Sequence, residues 1–348
     1  MSKVLFVLRR KEDYNDKTDY SIGLSTGLYN SASFVNNMLN DNGIDSNIEV
    51  VLDNNCIDRV ITLHKPDYCI IEALWVTPSK MTELSKLHPT VKWIIRLHSE
   101  MAFISGEGIF SSWLSEYARI RNVIIAVNSP RLYNDILSYL KNLTCWVTDG
   151  HYKKLIQLGN YYPQDYVTKV SNKDSDTINI GCFGAIRLLK NQLIQAFAAI
   201  EFADSIGKKL NFHINGDRVE MNSNATLSNL KGLFEQGYNR GHRLICHEWT
   251  PRDAFLELCA SMDIAMQVSL SETFNIVACD CISQGIPIVG CSEIPWQLAG
   301  KAIPTDSRSI VKKLHSVYKH PQWNIFINRI SLDVYTDKIE KQWIVYFK

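Results

Sequence analysis

Ile178-Asn-Ile-Gly181-Cys-Phe-Gly184-Ala-Ile-Arg187-Leu-Leu-Lys190-Asn191 is the stretch on which the fold turns. An apolar run of strand length breaks on a Gly-x-x-Gly and passes into a helical pattern over 191–206, the opening of a βαβ unit. Downstream the alternation continues: strand 210–214, helix 225–236, strand 243–247, strand 264–268, helix 275–284, strand 287–290 and a long helical tail. Thr250-Pro251-Arg252-Asp253 opens the intervening helix, with Thr250 predicted as N-cap and Pro251 at the first helical position. Upstream the same rhythm occupies the first half. Strands 4–8, 48–52, 68–73, 91–97 and 123–127 alternate with helices 27–42, 55–64, 79–88, 110–120 and 130–140. Between the halves, residues 160–176 are polar and turn-rich and read as a linker. The expectation is an α/β protein of two Rossmann-like lobes, each with a parallel sheet, facing across a cleft.

Composition agrees with two domains. A chain of 348 residues exceeds a single ordinary core, given a length prior of roughly 150 residues per domain. The apolar share of 46% and charged share of 21% are those of a globular protein. Arg9-Arg10-Lys11 ends the first apolar run long before the ~20 residues a membrane span requires, and no signal peptide is expected. A net charge of +1 offers no bulk attraction for a polyanion. The nine cysteines are scattered, odd in number and without zinc spacing, which predicts reduced thiols in a cytoplasmic protein and no metal site.

Three features of the second half converge on one ligand chemistry. Gly181 and Gly184 let backbone approach a ligand, while Arg187 and Lys190 supply two cations three residues apart at the start of a helix. Such a site can hold the charge that builds on a phosphate leaving group without a metal. In Ser271-Glu272-Thr273-Phe274-Asn275-Ile276-Val277-Ala278-Cys279-Asp280, two carboxylates stand across a strand-to-helix junction. The backbone N–H groups of Thr273, Phe274, Asn275 and Ile276 lie between them, and each carboxylate can accept hydroxyls of a sugar or ribose. Gln284-Gly285-Ile286-Pro287-Ile288-Val289-Gly290 is a helix stop followed by a buried strand, and its value is positional. Each feature also has a plain structural reading, as a tight turn, a charged helix end and a cap.

Taken together, they resemble the donor lobe of GT-B glycosyltransferases, in particular the retaining group called family 4, with its Arg…Lys pair and Glu-x7-Glu signature, here Glu272-x7-Asp280. The resemblance implies that Arg187 and Lys190 hold the diphosphate, that Glu272 contacts the donor sugar and that Asp280 binds the ribose, with the shortened acid altering that contact. It places the loop Asn215-Gly216-Asp217-Arg218 near the nucleotide, and His247 and Trp249 near its base. In the first lobe it matches Gly23 and Gly27 to a glycine loop near the distal phosphate, and His98 to a histidine facing the transferred sugar. It divides the chain into an acceptor lobe (1–165), a donor lobe (176–320) and a final helix (321–348) crossing back to the first lobe.

The implied reaction is metal-independent transfer, with retention, from a nucleotide-diphosphate sugar (UDP-sugar favoured) to an acceptor hydroxyl. The transfer calls for no further cofactor. His98 or Glu100 would serve as base were the reaction inverting. Two acceptors stay open. A glycan is one. The other is a hydroxymethylated DNA base gripped by Arg9, Arg10 and Lys11 with Tyr14 and Tyr20, Arg96, Arg119 and Arg121 lying nearby. The rivals are a nucleotide-sugar epimerase of the same architecture and a non-catalytic nucleotide-sugar- or nucleic-acid-binding protein. No stable membrane insertion is expected.

Overall fold

A computed structural model describes residues 2–10, 26–142, 154–168, 176–235 and 240–348. They divide into two compact units, Met1–Pro163 with Thr336–Lys348, and Gln164–Tyr335. In the first unit the elements run β1 (Lys3–Arg9), α1 (Thr26–Asp41), β2 (Asp45–Val51), α2 (Ile57–His64), β3 (Tyr68–Glu72) and α3 (Pro78–Leu87). They continue with β4 (Lys92–Leu97), α4 (Met101–Ile104), α5 (Phe110–Arg119), β5 (Val123–Val127), α6 (Pro130–Lys141) and β6 (Leu155–Gln157). The sheet is parallel, in the order β2-β1-β3-β4-β5-β6. Val4, Leu5, Phe6 and Val7 are wholly buried, because helices cover both faces of such a sheet and leave no polar alternation. Thr77 and Ser129 start α3 and α6 by accepting the backbone N–H of Lys80 and Leu132, each with proline at the first turn.

The second unit comprises β7 (Thr177–Gly181), α7 (Gln192–Ser205), β8 (Lys209–Asn215), α8 (Asn224–Glu235), β9 (Arg243–His247) and α9 (Arg252–Ala260). β10 (Ile264–Met266), α10 (Ile276–Ser283), β11 (Ile288–Cys291), β12 (Lys301–Ala302), α11 (Ser307–Lys319) and α12 (Pro321–Phe347) follow. Its parallel sheet has the order β12-β11-β10-β7-β8-β9. The chain steps outward from β7 through β8 to β9, then returns to lay β10 on the other side of β7. That reversal makes β7/β10 the switch point, and β1/β3 plays the same part in the first unit. In open α/β sheets ligands bind beyond the carboxyl ends of the strands at such a point.

Three short elements, α4, β6 and β12, have no counterpart among the predicted ones. One predicted cap is corrected: α9 starts at Arg252 with Pro251 in the cap position, at ψ 158°, and no side chain caps it. The extended Pro251 holds Thr250 one residue too far back, and Thr250 Oγ1 is buried without a hydrogen-bond partner. α12 is shared by membership: Pro321 to Tyr335 belong to the second unit, Thr336 to Phe347 to the first. Within the first unit Trp343 is fully buried, its ring 6.0 Å from Phe6 and its Nε1–H donated to the Gly159 carbonyl at 2.9 Å.

Candidate functional site

At the carboxyl end of β7, Gly184 adopts φ +105°, which a side chain would strain. Its N–H is donated to Asn215 Oδ1 at 2.8 Å, tying the turn to the end of β8. Arg187 is extended and leads a single 3-10 turn, Leu188–Lys190, closed by Asn191 in the left-handed region. The Asn191 amide donates to the carbonyls of Val268 (3.1 Å) and Pro304 (2.8 Å), which fixes the turn against the end of β10. From there Lys190 Nζ donates to Glu272 Oε1 at 2.6 Å. Asn275, at φ +63°, holds the same oxygen with Nδ2 (3.0 Å) and accepts the Ala278 N–H with Oδ1 (3.0 Å), so one side chain both caps α10 and orients Glu272. Its Nδ2 also reaches Gln267 Oε1 at 3.0 Å, and Gln267 donates to the Phe183 carbonyl at 3.0 Å. The switch point β7/β10 is thus laced by hydrogen bonds around Lys190 and Glu272.

A second charged group adjoins the first through Arg187. Arg187 Nε donates to Glu220 Oε2, and Arg218 Nε to Glu220 Oε1, each at 2.6 Å, so one carboxylate separates two guanidinium groups. Arg218 lies 4.2 Å over the Trp249 ring, and the Trp249 N–H is donated to Asp217 Oδ2 at 2.7 Å. Side-chain exposure is 27% at Arg187, 20% at Glu220 and 9% at Arg218, so these three charges are screened less than fully exposed ones, whereas Asp217 is exposed. Gly216 allows the close approach of β9, since a Cβ there would sit 2.9 Å from Cys246 Cβ. The His247 ring stacks on His213 with centroids 5.1 Å apart, His247 Nε2 lying 2.8 Å from His213 Nδ1. Burial, and then the facing His247, push His213 down to about 4, and burial lowers His247 as well.

The remaining second-unit residues are placed as follows. Thr273 is buried, and Ile276 opens α10 half-buried. Phe274 is buried, its ring stacked on Tyr335 and its carbonyl accepting Trp296 Nε1–H at 2.8 Å. Asp280 lies inside α10, 3% exposed, and pairs with Arg252 at 2.8 Å. Glu272 is therefore a loop residue before the helix, and Asp280 a helical one held from α9.

In the first unit His98 directly follows β4 and contacts the carboxylate of Glu72, the last residue of β3. Burial alone would raise the Glu72 carboxyl, but Arg96 and His98 outweigh it and hold it below the usual carboxylate range. Burial leads in lowering His98 too, against the pull of Glu72. Glu100 is buried, accepting Ser129 Oγ–H at 2.6 Å and pairing with Arg131 at 3.2 Å. Arg9 is exposed at the end of β1, the Arg10 N–H is donated to the Val51 carbonyl at 2.8 Å, and Gly27 lies in α1 with open space about it. Gly23, Lys11, Tyr14 and Tyr20 lie outside the described residues.

The expected arginine rim is corrected. Arg96 is fully buried, donating to Glu72 Oε1 (3.1 Å), Asn160 Oδ1 (2.7 Å) and the carbonyls of Leu158 and Gly159, so it offers nothing to a phosphate. Arg119 and Arg121 precede β5 and so lie at the amino edge of a parallel sheet, whereas Arg9 and Arg10 end β1 at the carboxyl edge. A strand of five residues sets these edges roughly 17 Å apart. Glu72 and Glu220 are the site carboxylates that sequence reasoning missed. The usable signals were an acid closing an apolar strand and an acid two residues after Arg218. Among the described residues, no group of three or more His, Cys, Asp or Glu is placed to hold a metal ion, and no helix is long and apolar enough to cross a membrane.

No family model matches the chain, and no curated protein matches it in sequence. Solved structures do match in fold. Sucrose-phosphate synthase from Thermosynechococcus elongatus aligns over 98% of this chain and 97% of its own, with a TM-score of 0.65 at 12% identity. Anabaena HepE, solved in complex with UDP-glucose, aligns over 99% of both chains with a TM-score of 0.64 at 12% identity. A UDP-forming α,α-trehalose-phosphate synthase from Burkholderia xenovorans covers 100% of this chain and 98% of its own, with a TM-score of 0.62 at 11% identity. The chain has the two-lobed α/β fold of the GT-B glycosyltransferases.

Proposed function

We propose that the protein is a glycosyltransferase that moves a sugar from a nucleotide-diphosphate sugar, a UDP-sugar in the favoured case, to an acceptor hydroxyl. The observation that carries this reading is the Lys190–Glu272 pair at the β7/β10 switch point, with the Arg187–Glu220–Arg218 group beside it. UDP-glucose in HepE and the UDP-forming synthase of the same fold support the choice of donor. Cleaving the glycosidic bond leaves negative charge on the diphosphate, and Arg187 and Lys190 stabilise it as it grows. Glu272, oriented by Asn275, accepts donor-sugar hydroxyls; Asp280, steadied by Arg252, accepts from the ribose. The loop Gly216-Asp217-Arg218 lies along the nucleotide, and His247 and Trp249 flank its base. The acceptor hydroxyl attacks the face from which the phosphate leaves, passing its proton to that phosphate, so configuration is retained without a protein base or a metal.

His98, held by Glu72, is the first-unit residue this reading assigns to the transferred sugar. A carbohydrate hydroxyl is the acceptor this reading adopts, because Arg96, Arg119 and Arg121 do not join Arg9 and Arg10 in a phosphate-gripping rim. A cytoplasmic setting accords with the eight described cysteines, all of them free thiols. The test is sugar transfer by the full chain across UDP-, GDP- and ADP-sugars with carbohydrate acceptors and hydroxymethylcytosine duplex, with and without EDTA. Arg187→Ala with Lys190→Ala should lower kcat/KM by about 100- to 1000-fold while the fold survives, and chelator should leave activity unchanged. Turnover at the wild-type rate in that variant rejects the site. Donor rearranged without an acceptor indicates an epimerase, and donor binding without turnover a binding protein.

A further inference from the structure

The second-unit part of α12 buries two asparagines on its inner face and carries an apolar stripe on its outer one. Its asparagines point inward: Asn324 exchanges both hydrogen bonds with the backbone of Ile288, at 2.9 and 3.1 Å, and Asn328 Oδ1 accepts the N–H groups of Leu298 and Ala299 at 3.0 Å. Four of its apolar side chains point outward, with Trp323 60% exposed, Phe326 60%, Ile330 45% and Val334 67%, while Ile325 and Leu332 pack inward beside the asparagines. Spacings of three, four and four residues put these four on one face of the helix. Scattered exposed apolar residues are ordinary, but a contiguous stripe with two aromatics marks a surface that something covers.

Charge selects the occupant. The whole chain is close to neutral at +1, yet Lys301, Arg308, Lys312, Lys313, Lys319 and Arg329 stand against only Asp306 and Asp333 between residues 301 and 335. Arg308, Lys312 and Lys319 are exposed, and Lys319 lies at the end of α11, four residues before Trp323. A second copy packed by two-fold symmetry close to Lys319 would set like charge against like. An anionic lipid surface meets both demands, with Trp323, Phe326 and Ile330 entering the acyl boundary while the lysines pair with headgroups.

We propose that the Trp323–Phe326–Ile330–Val334 face docks the protein reversibly on an anionic membrane surface. The interaction is peripheral and independent of the proposed transfer reaction. The test mixes the full chain, without any sugar donor, with vesicles of phosphatidylcholine alone or of phosphatidylcholine and phosphatidylserine, and reads co-sedimentation. The expected result is binding to the phosphatidylserine vesicles that weakens with salt and falls about tenfold or more in Trp323→Ser/Phe326→Ser. Lys312→Glu/Lys319→Glu should lose the preference for phosphatidylserine by a similar factor. All four positions are exposed, so the variants should keep the wild-type Tm. Absence of binding, equal binding to both vesicles, or binding unchanged by the aromatic substitutions overturns the proposal. A dimer in light scattering that Trp323→Ser/Phe326→Ser dissociates overturns it too, by assigning the face to a second copy.

Discussion

Glu72 carries its charge where no water reaches it, and three other residues explain how. Arg96 and His98 flank the carboxylate, and Arg96 spends its remaining donors on Asn160 and two backbone carbonyls. Removing one partner of such a group leaves a buried charge uncompensated, which is costlier than replacing both partners by apolar ones. Glu72→Gln should therefore lose roughly 3–5 kcal/mol of stability, and Glu72→Gln/Arg96→Met should recover more than half of it. Chemical denaturation of the three proteins measures this; a single variant within about 1 kcal/mol of wild type contradicts the argument. None of this was readable in the sequence. Arg96 sits in an apolar strand where it looks like a cation at a strand end, and its partner stands 24 residues earlier. Only the pairing of β3 with β4, Glu72 opposite Arg96, puts them together.

At the scale of elements, α10 shows what local chemistry does announce. Its stop was legible because Gly285 takes φ +72°, the left-handed residue a helix end favours. Its start was legible only as a boundary, since nothing in the sequence says that Asn275 is itself left-handed and caps the helix with its own side chain. Replacing it separates the two roles. Asn275→Ala forfeits the cap, about 1 kcal/mol, and strains the backbone by about 1 kcal/mol more. Asn275→Gly relieves the strain and weakens the cap by only tenths. Both lose the tether to Glu272, so transfer should drop in both while urea denaturation ranks glycine above alanine by about 1.5 kcal/mol. Alanine equal to or better than glycine would refute the assignment. The elements that escaped sequence reading, α4, β6 and β12, have four, three and two residues, too few for a period of 3.6 or 2 to be established. The longer strands and helices were readable as elements, except that α11 and α12 were read together as one helical tail.

For the molecule as a whole, His213 sets a direction of pH dependence. Its folded value of about 4 lies below the ordinary histidine value of about 6.5, so the native state keeps neutral a ring that the unfolded chain protonates. Above about pH 6.5 the group contributes nothing to the slope. As pH falls from there toward 4, the unfolded state gains protons the native state refuses, and stability declines. Glu72, held below the carboxylate range, extends the loss to lower pH as it is forced to protonate. Tm measured across this range should fall less steeply in His213→Gln than in wild type; identical profiles would remove His213 from the explanation.

The shared membership of α12 has a consequence for how the protein is made. Trp343 and Phe347 complete the packing over Phe6 and Tyr68 in the first unit, yet all of Gln164–Tyr335 lies between those two pieces of chain. A ribosome delivers β1 to β6 early and the residues that seal them last. The unit begun first must be finished second, and until then its open face is the one a chaperone would meet.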